Sequence, residues 1–186
     1  LRIDGFVKNT PLRCYYCKRE LMSRLIKAAQ EKGFDTVFEG SNADDDNDYR
    51  PGMRAVKELG VLSPLKNAEL TKSEIRRLSK ALGLSTYSKP SLACLATRIE
   101  YDEEITAQKL KMTDEAEQVL CDLGLTQVRV RMNDNSARIE VPLDEMKTVF
   151  DNAKYINDAL KKIGYDFVSL DLEGYKTGKM NININN

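Results

Sequence analysis

The sequence predicts an α/β fold, with part of a parallel-sheet domain followed by a small α+β domain. Two patterns carry this prediction. In the first hundred residues, a helical run of apolar residues ends at Gly33, and a short apolar segment then leads into an acidic loop. This order is typical of α/β sheets, in which ligands bind beyond the carboxyl ends of the strands. Further along, a second helical stripe precedes two alternating segments that are typical of a β-hairpin.

The first domain is predicted over residues 1–100. Its predicted elements are a helix that ends at Gly33, a strand over 34–39, a helix over 51–59, a helix that follows Thr71 and ends at Gly83, and an ordered loop over 85–99. The apolar pattern of the first helix includes Leu21 and Leu25. Thr71 and Glu74 have the spacing of a capping box, which predicts where the third helix begins.

The second domain is predicted over residues 101–180, with a frayed, asparagine-rich tail over 181–186. Its helical stripe ends at Gly124. The elements predicted after that helix are strands over 127–132 and 136–141, helices over 143–150 and 153–163, and a strand over 166–170.

The composition excludes several classes of function. The chain has 186 residues, no histidine, and 29 basic and 29 acidic residues. Without histidine there is no Ser-His-Asp triad, no Cys-His dyad and no histidine-containing zinc site, so nucleophilic chemistry has to rest on sulfur. A net charge of zero argues against broad duplex binding. No apolar run reaches the roughly 20 residues that span a bilayer, and four cysteines are too few for a disulfide scaffold, which favours a cytoplasmic setting.

Three cysteines are the candidate reactive groups. Cys14 and Cys17 form a Cys-x-x-Cys pair just before a predicted helix, and Cys94 lies in the predicted loop. The pair alone is consistent with dithiol redox chemistry, with half of a metal site, or with two packed thiols. Cys121 flanks an apolar helical stripe and is interpreted as a packing residue. Three thiolates with an open coordination position suit an iron–sulfur cluster better than a structural zinc ion, which normally has four ligands.

An acidic loop follows the first predicted strand. Its polar residues include Asn42, Asp44, Asp45 and Arg50. The loop lacks the order of ligands found in an EF-hand, so calcium binding is not expected. Two interpretations stay open: a solvated turn, and a loop that contacts a nucleotide at the end of the strand.

The predicted hairpin carries its charges on one face. Because strand side chains alternate, Val130 and Ile139 share one face, and the other face holds three arginines and a glutamate: Arg129, Arg131, Arg138 and Glu140. One interpretation is a solvent face with cross-strand ion pairs. The other is a clamp for a phosphate or carboxylate, which paired guanidinium groups bind well. The spacing does not separate the two.

Segments along nearly the whole chain match those of a known family. They are Arg13-Cys14-Tyr15-Tyr16-Cys17-Lys18, Gly40-Ser41-Asn42-Ala43-Asp44-Asp45 with Asp48-Tyr49-Arg50-Pro51-Gly52, Val61-Leu62-Ser63-Pro64-Leu65, Lys89-Pro90-Ser91 with Ala93-Cys94-Leu95-Ala96-Thr97-Arg98, Val128-Arg129-Val130-Arg131, Ala137-Arg138-Ile139-Glu140 and Gly174-Tyr175-Lys176-Thr177-Gly178. In this order they resemble the LarE-type ATP-dependent sulfur transferases. That family belongs to the PP-loop ATP pyrophosphatases and supplies sulfur for the nickel-pincer cofactor of lactate racemase.

The resemblance implies a fold and a reaction. The fold is the C-terminal part of a PP-loop domain, similar to the adenine nucleotide α hydrolases, over 1–100, followed by an α+β sulfur-transfer domain over 101–180. In the family, ATP with Mg²⁺ adenylylates a carboxylate of a pyridinium dicarboxylate mononucleotide, and sulfur then displaces AMP to leave a thiocarboxylate. Single-cysteine members give up the sulfur of the cysteine that matches Cys94. Three-cysteine members hold a [4Fe-4S] cluster that carries an extra sulfide, and this chain resembles them.

The resemblance also implies roles for residues and partners. The implied cluster ligands are Cys14, Cys17 and Cys94. The implied catalytic or substrate-phosphate residues are Cys94, Glu117, Arg129, Arg131 and Glu140. The implied nucleotide- or cofactor-binding residues are Asn42, Asp44, Asp45, Arg98 and Lys176. The implied partners are a small-molecule mononucleotide and further copies of the chain in a homo-oligomer, with no membrane.

Three alternatives stay open. The first is a tRNA-thiolating PP-loop enzyme, against which the zero net charge and the lack of a basic, aromatic-rich stripe argue. The second is a sacrificial Cys94 that donates sulfur without a cluster. The third is a non-enzymatic interaction module that contains thiols.

The sequence departs from the family's pattern in two places. The Ser-Gly-Gly-x-Asp-Ser loop that cradles pyrophosphate is absent and is expected upstream of Leu1, so the chain by itself is expected to bind ATP poorly. Lys176 stands where relatives more often have arginine, which replaces a bidentate fork with a point charge.

Overall fold

The structure is a computed structural model that describes residues 3–47, 50–89, 93–176 and 178–179. The tail predicted over 181–186, and residues 48–49, 90–91 and 177 of the matching segments, lie outside the described residues. The chain divides into two compact units: the helical unit, Leu12–Leu92, and the sheet unit, Leu1–Pro11 with Ala93–Asn186. The sequence-based domain boundary at residue 100 stays a prediction.

The described residues form helices in both units and a mixed three-stranded sheet in the sheet unit, which confirms the predicted α/β class. The helices are α1 (Asp4–Val7), α2 (Arg13–Glu31), α3 (Pro51–Glu58), α4 (Pro64–Asn67), α5 (Lys72–Ala81), α6 (Ala107–Cys121), α7 (Met146–Asp151) and α8 (Ala153–Ile163), and the strands are β1 (Arg129–Asn133), β2 (Ser136–Glu140) and β3 (Phe167–Leu170). None of the helices in this described part of the chain is long and apolar enough to cross a membrane.

The helical unit has a small core between α2, α3 and the segment that follows α3. Met22 on α2 packs with Val56 and Val61, and Ile26 joins them because it lies one turn beyond Met22. Leu21 and Leu25, which the apolar pattern placed on this helix, are instead about half exposed. Each precedes a core residue by one position and is therefore rotated by about 100° away from the core.

The strand predicted over 34–39 is reduced to one parallel bridge, Phe38 with Leu62. The amide of Leu62 donates to the carbonyl of Val37 at 3.0 Å, and the amide of Glu39 donates to the carbonyl of Leu62 at 2.9 Å. Phe34 and Phe38 remain 62% and 65% exposed. A strand needs a ladder of neighbours to persist, and among the described residues this segment pairs at a single step.

Local signals located the helices well. The capping box at the start of α5 is present: the Thr71 hydroxyl accepts from the Glu74 amide, and the Glu74 carboxylate accepts from the Thr71 amide. The helix predicted over 51–59 is α3, and the pair predicted near 143–163 is α7 and α8. Three of their ends carry a local signal: the capping box of α5, Pro51 at the start of α3 and Gly164 after α8.

The sheet unit is built on the predicted hairpin. β1 pairs antiparallel with β2 through a two-residue turn, and β3 lies parallel to β2 on its other side. The apolar face of the hairpin is almost fully buried against α6 and α8. This core contains Ala116, Leu120, Val130, Met132, Ala137, Ile139, Ile156 and Leu160. The hairpin therefore turns its charged face away from this core.

At Gly174, the backbone of the segment after β3 approaches the backbone of Val141 closely. It has a φ of +73°, and a Cβ atom at this position would lie 2.8 Å from the carbonyl oxygen of Val141. Gly124 has a φ of +87° but has open space where its Cβ would be. An alanine at position 124 would introduce backbone strain alone, whereas an alanine at position 174 would introduce both strain and a steric clash.

We expect Gly174→Ala to lower the free energy of unfolding of the sheet unit by at least about 2 kcal/mol, because both strain and a backbone clash are introduced. The matched control, Gly124→Ala, should cost about 1 kcal/mol, from strain alone. Urea unfolding followed by circular dichroism measures both values. Equal losses for the two variants would contradict the close approach at Gly174.

Candidate functional site

Cys94 begins a short turn in the sheet unit. It stands just before a 3₁₀ helix, Leu95–Arg98, and its side chain is exposed. The Thr97 hydroxyl donates to the carbonyl of Cys94 at 2.7 Å, and the Arg98 guanidinium donates to the same oxygen at 3.4 Å. The backbone of Cys94 is thus held from two sides, while its thiol faces solvent.

Arg98 connects this turn to the rest of the sheet unit. Its guanidinium forms a bidentate pair with Glu117 on α6, with distances of 2.7 Å and 3.0 Å. Arg98 is only 3% exposed. One oxygen of Glu117 also accepts from the amide of Val130 on β1 at 3.0 Å. One partly buried carboxylate therefore joins the Cys94 turn, α6 and the hairpin, and a pair of this geometry is strong.

Arg131 forms a second connection to the same turn. It donates to the carbonyl of Thr97 at 2.7 Å, and its guanidinium pairs with Glu140 at 3.0 Å. Arg138 pairs with the other oxygen of Glu140 at 3.4 Å. Glu140 is fully buried, so this part of the charged hairpin face is not a solvent face.

Arg129 is a buried guanidinium without a carboxylate partner among the described residues. It stands opposite Glu140 in the register of the hairpin, but Arg131 and Arg138 take both oxygens of that glutamate. Arg129 donates to the carbonyl of Val128 at 2.6 Å and has the ring of Tyr175 over its guanidinium at 5.2 Å. Burial lowers its pKa from the ordinary value, and the like charge of Arg98 lowers it further.

The buried and partly buried charges of this described network do not balance. Arg98, Arg129 and Arg131 are three cations, and Glu117 and Glu140 are the two carboxylates, which pair with Arg98 and Arg131. One positive charge is left uncompensated at Arg129, which is 5% exposed. Burying an unpaired charge is costly, so this arrangement favours the binding of an anion. We call these five residues the arginine cluster.

We expect Glu117→Ala to lower the free energy of unfolding by about 3 kcal/mol or more, because Arg98 would be left buried without its carboxylate. Glu115→Ala is the matched control on the same helix. Glu115 forms an exposed i,i+4 pair with Lys111 at 3.6 Å, and its loss should have almost no effect. Chemical denaturation of both variants gives the comparison. Similar losses of unfolding free energy in the two variants would show that the Arg98–Glu117 pair contributes no more to stability than the exposed Lys111–Glu115 pair.

The helical unit holds the other two candidate thiols. Cys14 and Cys17 lie in the first turns of α2, three residues apart and hence on neighbouring positions of one face. Cys14 is exposed and Cys17 is partly buried. α3 approaches this turn closely, since a Cβ atom on Gly52 would lie 3.4 Å from the carbonyl oxygen of Cys14.

The free thiols suit a soft metal by their chemistry, but Cys94 belongs to a different unit from Cys14 and Cys17. Within the described residues of either unit, no group of three Cys, His, Asp or Glu side chains is arranged to hold a metal ion. The set of three cluster ligands therefore stays a prediction. Cys121, interpreted from the sequence as a packing residue, is exposed, because it follows the core residue Leu120 and points away from the core.

The acidic side chains predicted to lie near a nucleotide also shape their own loop. Asp45 accepts from the amide of Asn42 at 3.0 Å, and Asn42 accepts from the amide of Asp44 at 3.0 Å. Asp44 accepts from the amide of Lys72, in the first turn of α5, at 2.8 Å. Asp45 also pairs with Arg50 at 2.9 Å. These bonds make the loop a defined structure rather than a loose solvated turn, and nucleotide contact stays a prediction.

Glu39 is a buried carboxylate that the sequence analysis missed. Its side chain is 5% exposed and pairs with Lys18, next to Cys17, at 3.1 Å. The amide of Ser41 and the hydroxyl of Ser63 donate to its other oxygen. Burial alone would raise the pKa of Glu39, but the bonds from Ser41, Ser63 and Lys18 outweigh it and lower the pKa to about 2. The only signal in the sequence was an acid at the end of an apolar segment.

The low pKa of Glu39 predicts acid sensitivity of the helical unit. Since the folded-state pKa of about 2 lies below the ordinary value of 4.5, its contribution is complete above pH 4.5 and is lost as the pH falls towards 2. The shift corresponds to about 3 kcal/mol at most. Glu39→Gln should flatten the dependence of the unfolding free energy on pH in this window, whereas Glu20→Gln, at an exposed pair with Arg24, should not. An unchanged slope in Glu39→Gln would refute this role.

Lys176 lies apart from the arginine cluster's ion pairs. Its side chain is largely exposed and pairs with Glu173. The sheet unit thus joins five predicted site residues through the contacts described above: Cys94, Arg98, Glu117, Arg131 and Glu140. A sixth, Arg129, stands opposite Glu140 in the hairpin register. Cys14, Cys17, Asn42, Asp44 and Asp45 belong to the helical unit. Tyr175, whose ring covers Arg129, was part of a matching segment but was not assigned a role from the sequence.

No protein-family model matches the chain. Among curated proteins, it is 42% identical over 179 residues to an uncharacterized protein of Synechocystis sp., covering 95% of this chain and 67% of that protein. It is 35% identical over 178 residues to the pyridinium-3,5-bisthiocarboxylic acid mononucleotide synthase of Lactiplantibacillus plantarum, covering 96% of this chain and 64% of the synthase. It is 33% identical over 177 residues to an uncharacterized protein of Methanocaldococcus jannaschii, covering 95% and 69%.

The chain therefore spans about two thirds of the length of the relatives it matches. Each alignment covers almost the entire chain, so both the helical unit and the sheet unit take part in the similarity. By these identities and coverages, the chain belongs to the LarE-type family, which includes the L. plantarum synthase.

Proposed function

We propose that the chain is part of a sulfur transferase that acts on a small anionic mononucleotide and converts an activated carboxylate of a pyridinium dicarboxylate into a thiocarboxylate. The uncompensated cation at Arg129 carries this proposal, because it lies on the same strand as Arg131, which holds the turn that begins at Cys94. Family membership supports it, since one relative is named as the synthase of a pyridinium bisthiocarboxylic acid mononucleotide. Such a transfer requires an anion site and a held, exposed thiol in the same protein.

In this proposal Arg129 binds the anion, and the two glutamates of the arginine cluster hold the other two arginines in position. Arg129 binds the phosphate of the mononucleotide, since a guanidinium matches the geometry of phosphate oxygens. Glu117 and Glu140 hold Arg98 and Arg131 in place and neutralise them, which leaves the binding charge at Arg129. Cys94 presents its thiol at the exposed end of the turn that Arg98 and Thr97 hold.

We also propose that ATP with Mg²⁺ activates the carboxylate and releases AMP, and that Asn42, Asp44 and Asp45 lie close to the nucleotide. Support for this part comes from the family resemblance and from the defined structure of the acidic loop. Lys176, which is exposed, would contact the nucleotide only as a point charge. The homo-oligomer likewise stays a prediction.

Cys14, Cys17 and Cys94 are the proposed ligands of a [4Fe-4S] cluster. Such a cluster, when bound, would supply an inorganic sulfide at its open iron. Exposure of Cys14 and Cys94, together with the absence of histidine from the sequence, supports thiols as the donors.

We expect the chain, purified without oxygen and reconstituted with iron and sulfide, to bind about four irons per chain and to show the broad visible absorption of a cluster. Cys94→Ala should lose most of this iron, because one of three ligands is removed. Cys121→Ala is the matched control, since Cys121 is an exposed thiol without a proposed role, and it should keep the iron. Iron and sulfide analysis with absorption spectra provides the measurement.

Iron-free protein that still transfers sulfur would exclude the cluster and favour a sacrificial Cys94. Mass spectrometry after turnover distinguishes the two routes, because a sacrificed Cys94 loses the mass of one H₂S and becomes dehydroalanine. Intact Cys94 after turnover supports the cluster. Iron retained fully in Cys94→Ala would remove Cys94 from the ligand set.

A further inference from the structure

The segment that follows β3 returns to the arginine cluster and is fastened at several points. The amide of Asp171 donates to the carbonyl of Ile139, and the amide of Tyr175 donates to the carbonyl of Val141, both at 2.9 Å. Gly174 makes the close backbone approach to Val141 described above. The backbone of this segment is therefore seated directly along the end of β2.

An ion cluster fixes the same segment from its other side. Lys179, with a side chain that is 10% exposed, pairs with Asp171 at 2.7 Å and with Glu173 at 3.0 Å. It also donates to the carbonyl of Gly174 at 3.3 Å. Partly buried pairs with several partners stabilise more than exposed single pairs. Lys179 thus holds the turn that leads into Tyr175.

This fastening determines what lies against Arg129. The ring of Tyr175 is 5.2 Å from the guanidinium carbon of Arg129, within the range of a cation–π contact. An acidic side chain at this place would neutralise Arg129 and compete with a bound anion. An aromatic face attracts the guanidinium and shields it from water, but it leaves the positive charge available.

We infer that Tyr175, held by the Lys179 ion cluster, is a positioning residue that orients the buried Arg129 for anion binding. This inference rests on the proposed anion site and adds a residue that acts through Arg129. The ring contributes its face rather than its hydroxyl. The Lys179 pairs act one step further away, because they keep the ring over the guanidinium.

The test is the affinity of the chain for inorganic phosphate, measured by isothermal titration calorimetry at constant ionic strength. Tyr175→Leu should weaken phosphate binding about tenfold, because the cation–π contact is lost. Tyr175→Phe should stay close to wild type, because the aromatic face remains. Tyr155→Leu is the matched control, since Tyr155 is an exposed tyrosine on α8. Arg129→Gln should lose most of the binding.

Lys179→Met is a second variant that leaves Tyr175 in place. It should weaken phosphate binding severalfold if the ion cluster holds the ring. Unfolding midpoints are measured for every variant, so that lost affinity is compared between equally folded proteins. This variant also keeps the test decisive if Tyr175→Leu fails to fold.

The outcomes separate two kinds of failure. If wild type binds phosphate, Arg129→Gln loses it and Tyr175→Leu retains it, the anion site stands and the role of Tyr175 is overturned. If Tyr175→Phe binds as weakly as Tyr175→Leu, the hydroxyl acts rather than the ring face, which also overturns the inference. If wild type does not bind phosphate, the proposed anion site itself fails, and the inference fails with it.

Discussion

The bidentate pair between the buried Arg98 and the partly buried Glu117 is the interaction on which the candidate site depends. Glu117 accepts from the guanidinium of Arg98 and from the amide of Val130, so a single carboxylate joins the Cys94 turn, α6 and β1. The turn is also attached to the hairpin through Arg131, which donates to the carbonyl of Thr97, and through the backbone bridge between Ile99 and Met132. The position of Cys94 therefore depends on contacts with residues far along the chain, and not on the local sequence of its turn alone.

The two units use buried charge in opposite ways. In the helical unit, Glu39 is satisfied by Lys18, Ser41 and Ser63, so its charge stabilises the structure and leaves nothing for a ligand. In the sheet unit, the arginine cluster has one cation more than its carboxylates compensate. A satisfied charge indicates a structural role, whereas an uncompensated one indicates a binding role. The ring of Tyr175 lies against Arg129, so the guanidinium is buried while its charge stays available to an anion.

Local features of the structure could be predicted from the sequence because they arise from neighbours along the chain. The capping box at Thr71 and the alternation in the hairpin are examples, and both are present. The segment over 34–39 was predicted as a strand because its residues have the right character, but among the described residues only Phe38 pairs. Propensity measures how well a residue type fits a strand, whereas a hydrogen-bonded ladder also requires a partner segment from elsewhere in the chain.

The sequence by itself determined the longer helices, the alternation of side chains in the hairpin and the absence of histidine chemistry, since these follow from spacing and residue type. It placed Arg129, Arg131 and Glu140 on one face, but it left open whether this face was solvated or a clamp. Only the tertiary structure decided that Glu140 forms ion pairs with Arg131 and Arg138, and that Arg129 is buried against Tyr175. The reason is physical: ion pairing and burial depend on side chains that approach from α6 and from the segment after β3, far apart along the chain.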